Sequence, residues 1–131
     1  MAIYGVGLDL VRTERLERML VRWGERLEER IFTPVEREVC ARRKARAQCL
    51  AVRFAAKEAF AKALGTGLRP PILLQDIEVR SSALGRPEIA LSPRAQAFCR
   101  ERGVSAWHLS LTDDGAYGAA LVILETEKTE P

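Results

Sequence analysis

The chain has 131 residues, 47% of them hydrophobic and 30% charged, with a formal net charge of +3. That suits a single globular domain with a modest core, whose burial oligomerisation can supplement, and the charge is too mild to point to nucleic acid by itself. The opening MAIYGVGLDL lacks a basic flank and its apolar run stops at Asp9, so neither a signal peptide nor a membrane span is expected and the protein reads as cytoplasmic.

Residues 2–10, rich in β-branched, aromatic and glycine residues, read as a strand ending at Asp9. A helix opens near Thr13. Leu16, Leu20, Trp23 and Leu27 recur on it at helical spacing, and Arg12, Arg15, Arg18 and Arg22 form a neighbouring stripe about 100° away. Gly24 is placed to interrupt this helix. FTPVERE starts a second helix, with Thr33 as cap, Pro34 in the first position and Glu36 three residues after the cap. A third helix spans about 46–64 and stops at Gly65, followed by the loop GTGLRPP. QDIEVRSS and EIALS read as two strands around the turn LGRP. Ser92 and Pro93 open a fourth helix that Gly103 closes. The last apolar stretch is a hairpin turning at Asp113-Asp114-Gly115. Residues 1–125 form the expected domain, and 126–131 a polar tail. The order predicts an α+β fold, an antiparallel sheet packed with helices.

Between Arg12 and Arg53 the chain carries a charge of +5, leaving −2 for the rest, so a basic face for an acidic partner is expected there. Cys40, Cys49 and Cys99 are odd in number and show no CxxC spacing. Buried free thiols are expected from them, and neither a disulfide framework nor a zinc site.

The candidate chemistry centres on RFAAKEAFAKALGTG, residues 53–67. Phe54, Glu58 and Lys62 share one helix face at i, i+4, i+8. Glu58 and Lys62 read either as an exposed ion pair or as part of a site, and Asp9 either as the cap of the next helix or as a ligand. Taken together, two hard carboxylates suit Mg²⁺, which takes one or two protein carboxylates and fills its other positions with water and phosphate oxygens. Lys62 can neutralise phosphate charge, and GTG offers backbone N–H groups to phosphate. There is no GxxxxGK[ST] loop. His108, the only histidine, falls on the strand face opposite Trp107 and Leu109 and reads as structural.

YGVGLDLVRTERLERM, IFTPVERE, RFAAKEAFAKALGTG, QDIEV with GRPEIAL, and LSLTDDGAYGAALVILE occur in this order over nearly the whole chain. Together they resemble the holo-acyl-carrier-protein synthases, the small bacterial type of 4′-phosphopantetheinyl transferase. The resemblance implies that family's fold and a transfer of 4′-phosphopantetheine from coenzyme A to a serine of apo acyl carrier protein, for fatty acid biosynthesis, with adenosine 3′,5′-bisphosphate leaving. It implies Mg²⁺ held by Asp9 and Glu58, with Lys62 at the phosphates. It implies coenzyme A lined by Arg53, Gly65, Thr66, Gly67 and Pro87, with Lys44 at the nucleotide end. Arg15, Arg22 and Arg26 are implied to receive the acidic carrier, and the protein to be a homotrimer with sites between subunits. Glu58 is the candidate base for the incoming serine. One departure stands out: many relatives have THT or SHT where this chain has Thr112-Asp113-Asp114, so the histidine expected there is missing. Three rival readings are a nucleic-acid binder using the arginine stripe, an inactive homotrimer, and the same transfer onto a polyketide or peptide synthetase carrier. No membrane partner is expected.

Overall fold

Strand β1 (Ala2–Arg12) leads straight into helix α1 (Thr13–Ile31). The computed structural model describes residues 1–127. β1 runs three residues past the predicted stop at Asp9, because Leu10, Val11 and Arg12 keep pairing with Ala119, Gly118 and Tyr117. α1 bends at Gly24, whose φ of 65° breaks the helical backbone as its sequence position predicts. Helix α2 (Pro34–Ala41) starts with a complete capping box. Thr33 accepts from Glu36 N–H, and the Glu36 carboxylate accepts from Thr33 N–H. Helix α3 (Arg46–Leu64) follows, then a short 3-10 turn (Leu74–Asp76), strands β2 (Ile77–Ser81) and β3 (Pro87–Leu91), helix α4 (Pro93–Glu101) and the hairpin β4 (Val104–Asp113) and β5 (Tyr117–Thr126). Thr126 of the expected tail thus belongs to β5, and residues 128–131 lie outside the described residues.

The antiparallel pairing expected from the sequence divides into two sheets, one ordered β1-β5-β4 and one of β2 with β3. The Trp107 indole N–H joins them by donating to Ile89 O at 3.0 Å. α3 is buried on nearly every side and packs across the larger sheet. Its alanines make this possible, and β1 answers with glycines. A Cβ at Gly5 or Gly7 would collide with the carbonyl oxygen of Ala63 or Ala59. Small residues on both partners therefore bring strand and helix backbones into contact, which carries Asp9 to α3.

The cysteine expectation needs correction. Cys40, at the end of α2, is disulfide-bonded to Cys49, in the first turn of α3, with a Cα–Cα separation of 5.5 Å; Cys99 is free and buried as expected. Parity and spacing carry no information about two helix ends that the connecting loop folds together. Burial raises the Cys99 thiol to a pKa of about 11.

The outer face of the larger sheet is apolar and open. Val6, Leu8 and Leu10 are 54%, 65% and 62% exposed. The register places them beside Ile123, Leu121 and Ala119 on β5.

Candidate active site

Asp9 sits on the central stretch of β1, opposite Ala120. It does not cap α1: the cap position is Arg12, which makes no side-chain cap bond. Asp9 points instead at α3. Lys62 Nζ donates to Asp9 Oδ1 at 2.9 Å and to Leu8 O at 3.1 Å. Lys62 is thus the counter-ion of Asp9, and not the simple surface partner of Glu58.

Glu58 is half-buried, one turn before Lys62. Its carboxyl is held above the ordinary glutamate value, first by burial and next by the charge of Asp9; Lys62 and Arg15 pull the other way. Two carboxylates from different elements therefore face one another, with Lys62 and Arg15 around them. A divalent cation relieves the repulsion within such a pair, and both residues supply hard oxygen donors. Among the described residues no group of three or more His, Cys, Asp and Glu side chains could hold a metal. Asp9 and Glu58 leave most of a cation's coordination to water or substrate oxygens, which fits Mg²⁺ and not a zinc cage.

The loop after Lys62 differs from expectation in its backbone. Gly65 N–H donates to Ala61 O and Lys62 O, and Gly67 N–H to Ala61 O at 3.3 Å. These amides are spent on capping α3. Both glycines have positive φ and open space where a Cβ would stand, while the Thr66 hydroxyl donates to Gly67 O. What the loop offers a phosphate is close approach beside Lys62.

Arg53 is not on the Glu58–Lys62 face, from which helical geometry sets it about 140° away from Glu58. It is buried; its guanidinium donates to Cys49 O at 3.2 Å and touches Cys49 Sγ, and its Nε has no partner. Burial lowers its pKa, the Glu36 charge counters this, and Arg43 adds to it. Lys44 lies on the loop between α2 and α3. It lines a cavity of about 600 Å³ with Thr13, whose buried hydroxyl has no partner, and Gln48. Pro87 begins β3 and lines a different cavity, of about 360 Å³, with Trp107 and His108. One chain thus brings together Asp9, Glu58, Lys62 and Arg15, with the glycine loop next along the chain, while among the described residues no hydrogen bond or ion pair links Arg53, Lys44 or Pro87 to them.

Arg15, Arg22 and Arg26 are all exposed on α1. Arg22 stacks on Trp23, which the Gly24 bend leaves 58% exposed despite its place in the apolar stripe. Arg26 borders a groove of about 430 Å³ with Met19, Trp23, Leu27 and Arg30. His108 is exposed and paired with Glu125 at 2.7 Å, on the face opposite Trp107 and Leu109. Asp113 accepts a bond from Gln48.

The sequence reading assigned no role to Lys57, which is fully buried and paired with Glu36 at 2.7 Å. The available signal was its position: a lysine between Ala56 and Ala59 in a helix too apolar to leave that side in water.

Comparison with known proteins bears on these groups. The family model described as the 4′-phosphopantetheinyl transferase superfamily matches residues 5–122. A holo-acyl-carrier-protein synthase of Trichlorobacter lovleyi is 49% identical over 123 residues, covering 94% of this chain and 98% of that protein. The crystal structure of the holo-acyl-carrier-protein synthase of Neisseria meningitidis superposes with a TM-score of 0.90 at 38% identity, covering 95% and 99% of the two chains. That of Helicobacter pylori, in complex with coenzyme A, gives 0.81 at 27% identity and 92% and 99% coverage.

Proposed function

The chain belongs to the 4′-phosphopantetheinyl transferase superfamily, and from that premise we propose that it is a holo-acyl-carrier-protein synthase. It transfers 4′-phosphopantetheine from coenzyme A to a serine hydroxyl of apo acyl carrier protein. The observation that carries this reading is the convergence of Asp9, Glu58 and Lys62 from β1 and α3, with Lys62 Nζ 2.9 Å from Asp9 Oδ1, in a chain 49% identical to a synthase of that name.

In the reaction the serine Oγ forms a bond to the β-phosphorus, on the pantetheine side of the diphosphate. The bridging P–O bond breaks, and adenosine 3′,5′-bisphosphate departs. Such a displacement asks for charge neutralisation and in-line placement more than for covalent help. Asp9 and Glu58 are the residues that would hold Mg²⁺, whose chemistry here is Lewis-acid stabilisation of diphosphate charge. Lys62, exposed beside Asp9, donates to the phosphate oxygens on which negative charge grows. Glu58 accepts the serine proton; in the chain alone, burial and the neighbouring Asp9 hold its carboxyl above the ordinary glutamate value. The open glycine loop lets the diphosphate come close to Lys62.

The cationic face of α1 receives the carrier. Arg15, Arg22 and Arg26 supply charge, and Trp23 with Met19 supplies apolar contact. A homotrimer is supported by the exposed apolar face of the larger sheet, of a kind that marks an interaction surface. It is supported too by Arg53, Lys44 and Pro87 making no described hydrogen bond or ion pair with Asp9, Glu58 or Lys62 within one chain, a gap that a neighbouring copy can close. No helix among the described residues is long and apolar enough to cross a membrane, and a cytoplasmic location follows from the proposed role in fatty acid synthesis. The test is product release. With coenzyme A, Mg²⁺ and an apo acyl carrier protein, adenosine 3′,5′-bisphosphate should accumulate one for one with modified carrier. Coenzyme A consumption without the carrier, or RNA binding without coenzyme A binding, refutes the reading.

A further inference from the structure

Among the described ion pairs, only Glu36–Lys57 has both side chains fully withdrawn from solvent. A buried pair of this kind is commonly no more stabilising than apolar residues of the same volume, so its distinctive contribution is direction. Lys57 has three ammonium hydrogens and three acceptors: Glu36 Oε1 at 2.7 Å, Leu74 O at 3.0 Å, and Ile77 O. Glu36 also accepts from Thr33 N–H at 3.0 Å and from Val79 N–H at 2.7 Å. One cluster ties α3 to the start of α2, to the 3-10 turn and to β2.

Helical geometry connects this cluster to the reaction. Lys57 precedes Glu58 by one residue, about 100° around α3. On the other flank Ala59 and Ala63 press against Gly7 and Gly5. Glu58 and Lys62 lie between the two flanks, so α3 is held against rotation on both sides of the face that meets Asp9. The cluster also fixes the far end of the segment 65–73, whose near end is the cap formed by Gly65 and Gly67.

We propose that Glu36 and Lys57 are positioning residues for the transfer reaction. They set the rotation of α3, and with it the placement of Glu58 and Lys62 against Asp9, and they anchor the glycine loop. The kinetic half of this claim rests on the transfer reading above; the structural half does not.

The test uses the full chain. Lys57→Met keeps most of the volume and removes the ammonium. Glu36→Asp keeps the charge but is one methylene too short to reach Lys57, Thr33 N–H and Val79 N–H together. Leu124→Ala, in the core on β5, is the control that loses stability by ordinary truncation. Two quantities are measured at a temperature where each variant is folded: kcat with KM for coenzyme A, and amide hydrogen exchange at Gly65 and Gly67. In Lys57→Met, kcat should fall at least about 50-fold while KM rises no more than about threefold, as expected when reacting groups are misplaced. Exchange at both glycines should quicken at least about tenfold beyond that in Leu124→Ala. Glu36→Asp should show the same changes at smaller size, and it decides the matter if Lys57→Met does not fold. A folded variant with kcat within about twofold of wild type overturns the proposal, as does a loss that Leu124→Ala matches. If the wild type transfers nothing, the transfer reading fails, and the exchange rates alone decide whether Glu36 and Lys57 hold the loop.

Discussion

At the scale of single residues, the site works by setting unlike groups against one another. Glu58 is raised by burial and by Asp9, and Lys62 is drawn onto Asp9. A carboxyl whose folded-state pKa lies above its unfolded value favours the protonated fold. Its effect on stability is nil below the ordinary glutamate pKa, and stability is lost as the pH rises from there through the folded pKa. Glu58→Gln should therefore melt a few degrees above wild type near neutral pH, with the difference vanishing at acid pH, measured by thermal unfolding across the range. The same variant should lose about 100-fold or more in kcat, because it lacks the base. Lys62→Ala should cost about 100-fold in kcat through lost stabilisation of phosphate charge. Retained turnover at saturating Mg²⁺ in Glu58→Gln would remove the base assignment and leave only the ligand role. Much of this was legible in the sequence: one hard carboxylate on the first strand and one on a helix, a lysine one turn on, then two glycines, although the strand continues past Asp9 instead of ending there. The orientation of the groups was not. Helical spacing pairs Glu58 with Lys62, whereas the ammonium goes to Asp9, a partner 53 positions away that spacing within one helix cannot reveal.

At the scale of elements, the crossing of β1 and α3 carries the site. Gly5 and Gly7 face the Ala63 and Ala59 backbones without room for a methyl group. Gly7→Ala should destabilise by about 3 kcal/mol or leave no folded protein, read by chemical denaturation, since backbone meets backbone and neither has a rotamer to yield. Asp76 is a second joint. It accepts from Leu73 N–H, the Ser92 hydroxyl and Arg94, and joins the 3-10 turn to the start of α4. Burial acts to raise its pKa, but these bonds prevail and hold it below the ordinary aspartate value. The stability it contributes is present above the unfolded pKa and lost as the pH falls through the folded one. Asp76→Asn should cost about 2 kcal/mol at neutral pH and much less in acid, by urea melts at two pH values. Caps, turns and the hairpin were readable because their signals are local: Thr33, Ser92, Gly65 and Asp114-Gly115 each act within a few residues. The Cys40–Cys49 bond and the Glu36–Lys57 pair, both between the consecutive helices α2 and α3, and the division into two sheets were hidden because each depends on how whole elements pack against one another, which local signals do not encode.

At the scale of the whole molecule, two surfaces await partners. The basic face of α1 should make carrier recognition sensitive to salt, since the screening length shortens from about 30 Å at 0.01 M to about 8 Å at 0.15 M. KM for the carrier should rise steeply over that range while KM for coenzyme A changes less. Arg22→Glu should reproduce the effect at low salt, measured by steady-state kinetics. The open apolar face of β1 and β5 should be the contact between copies. Leu8, 65% exposed there, is the residue to change: Leu8→Lys should turn a trimer into monomers in analytical ultracentrifugation, and a monomeric wild type would end the trimer proposal.

The most direct measurement is the intact mass of an apo acyl carrier protein after incubation with the protein, coenzyme A and Mg²⁺. The account predicts a gain of ~340 Da, the mass of one phosphopantetheine arm, abolished in Asp9→Ala because that variant lacks one of the two carboxylates for the metal. An unchanged carrier mass, from a protein that also fails to bind coenzyme A, contradicts the account.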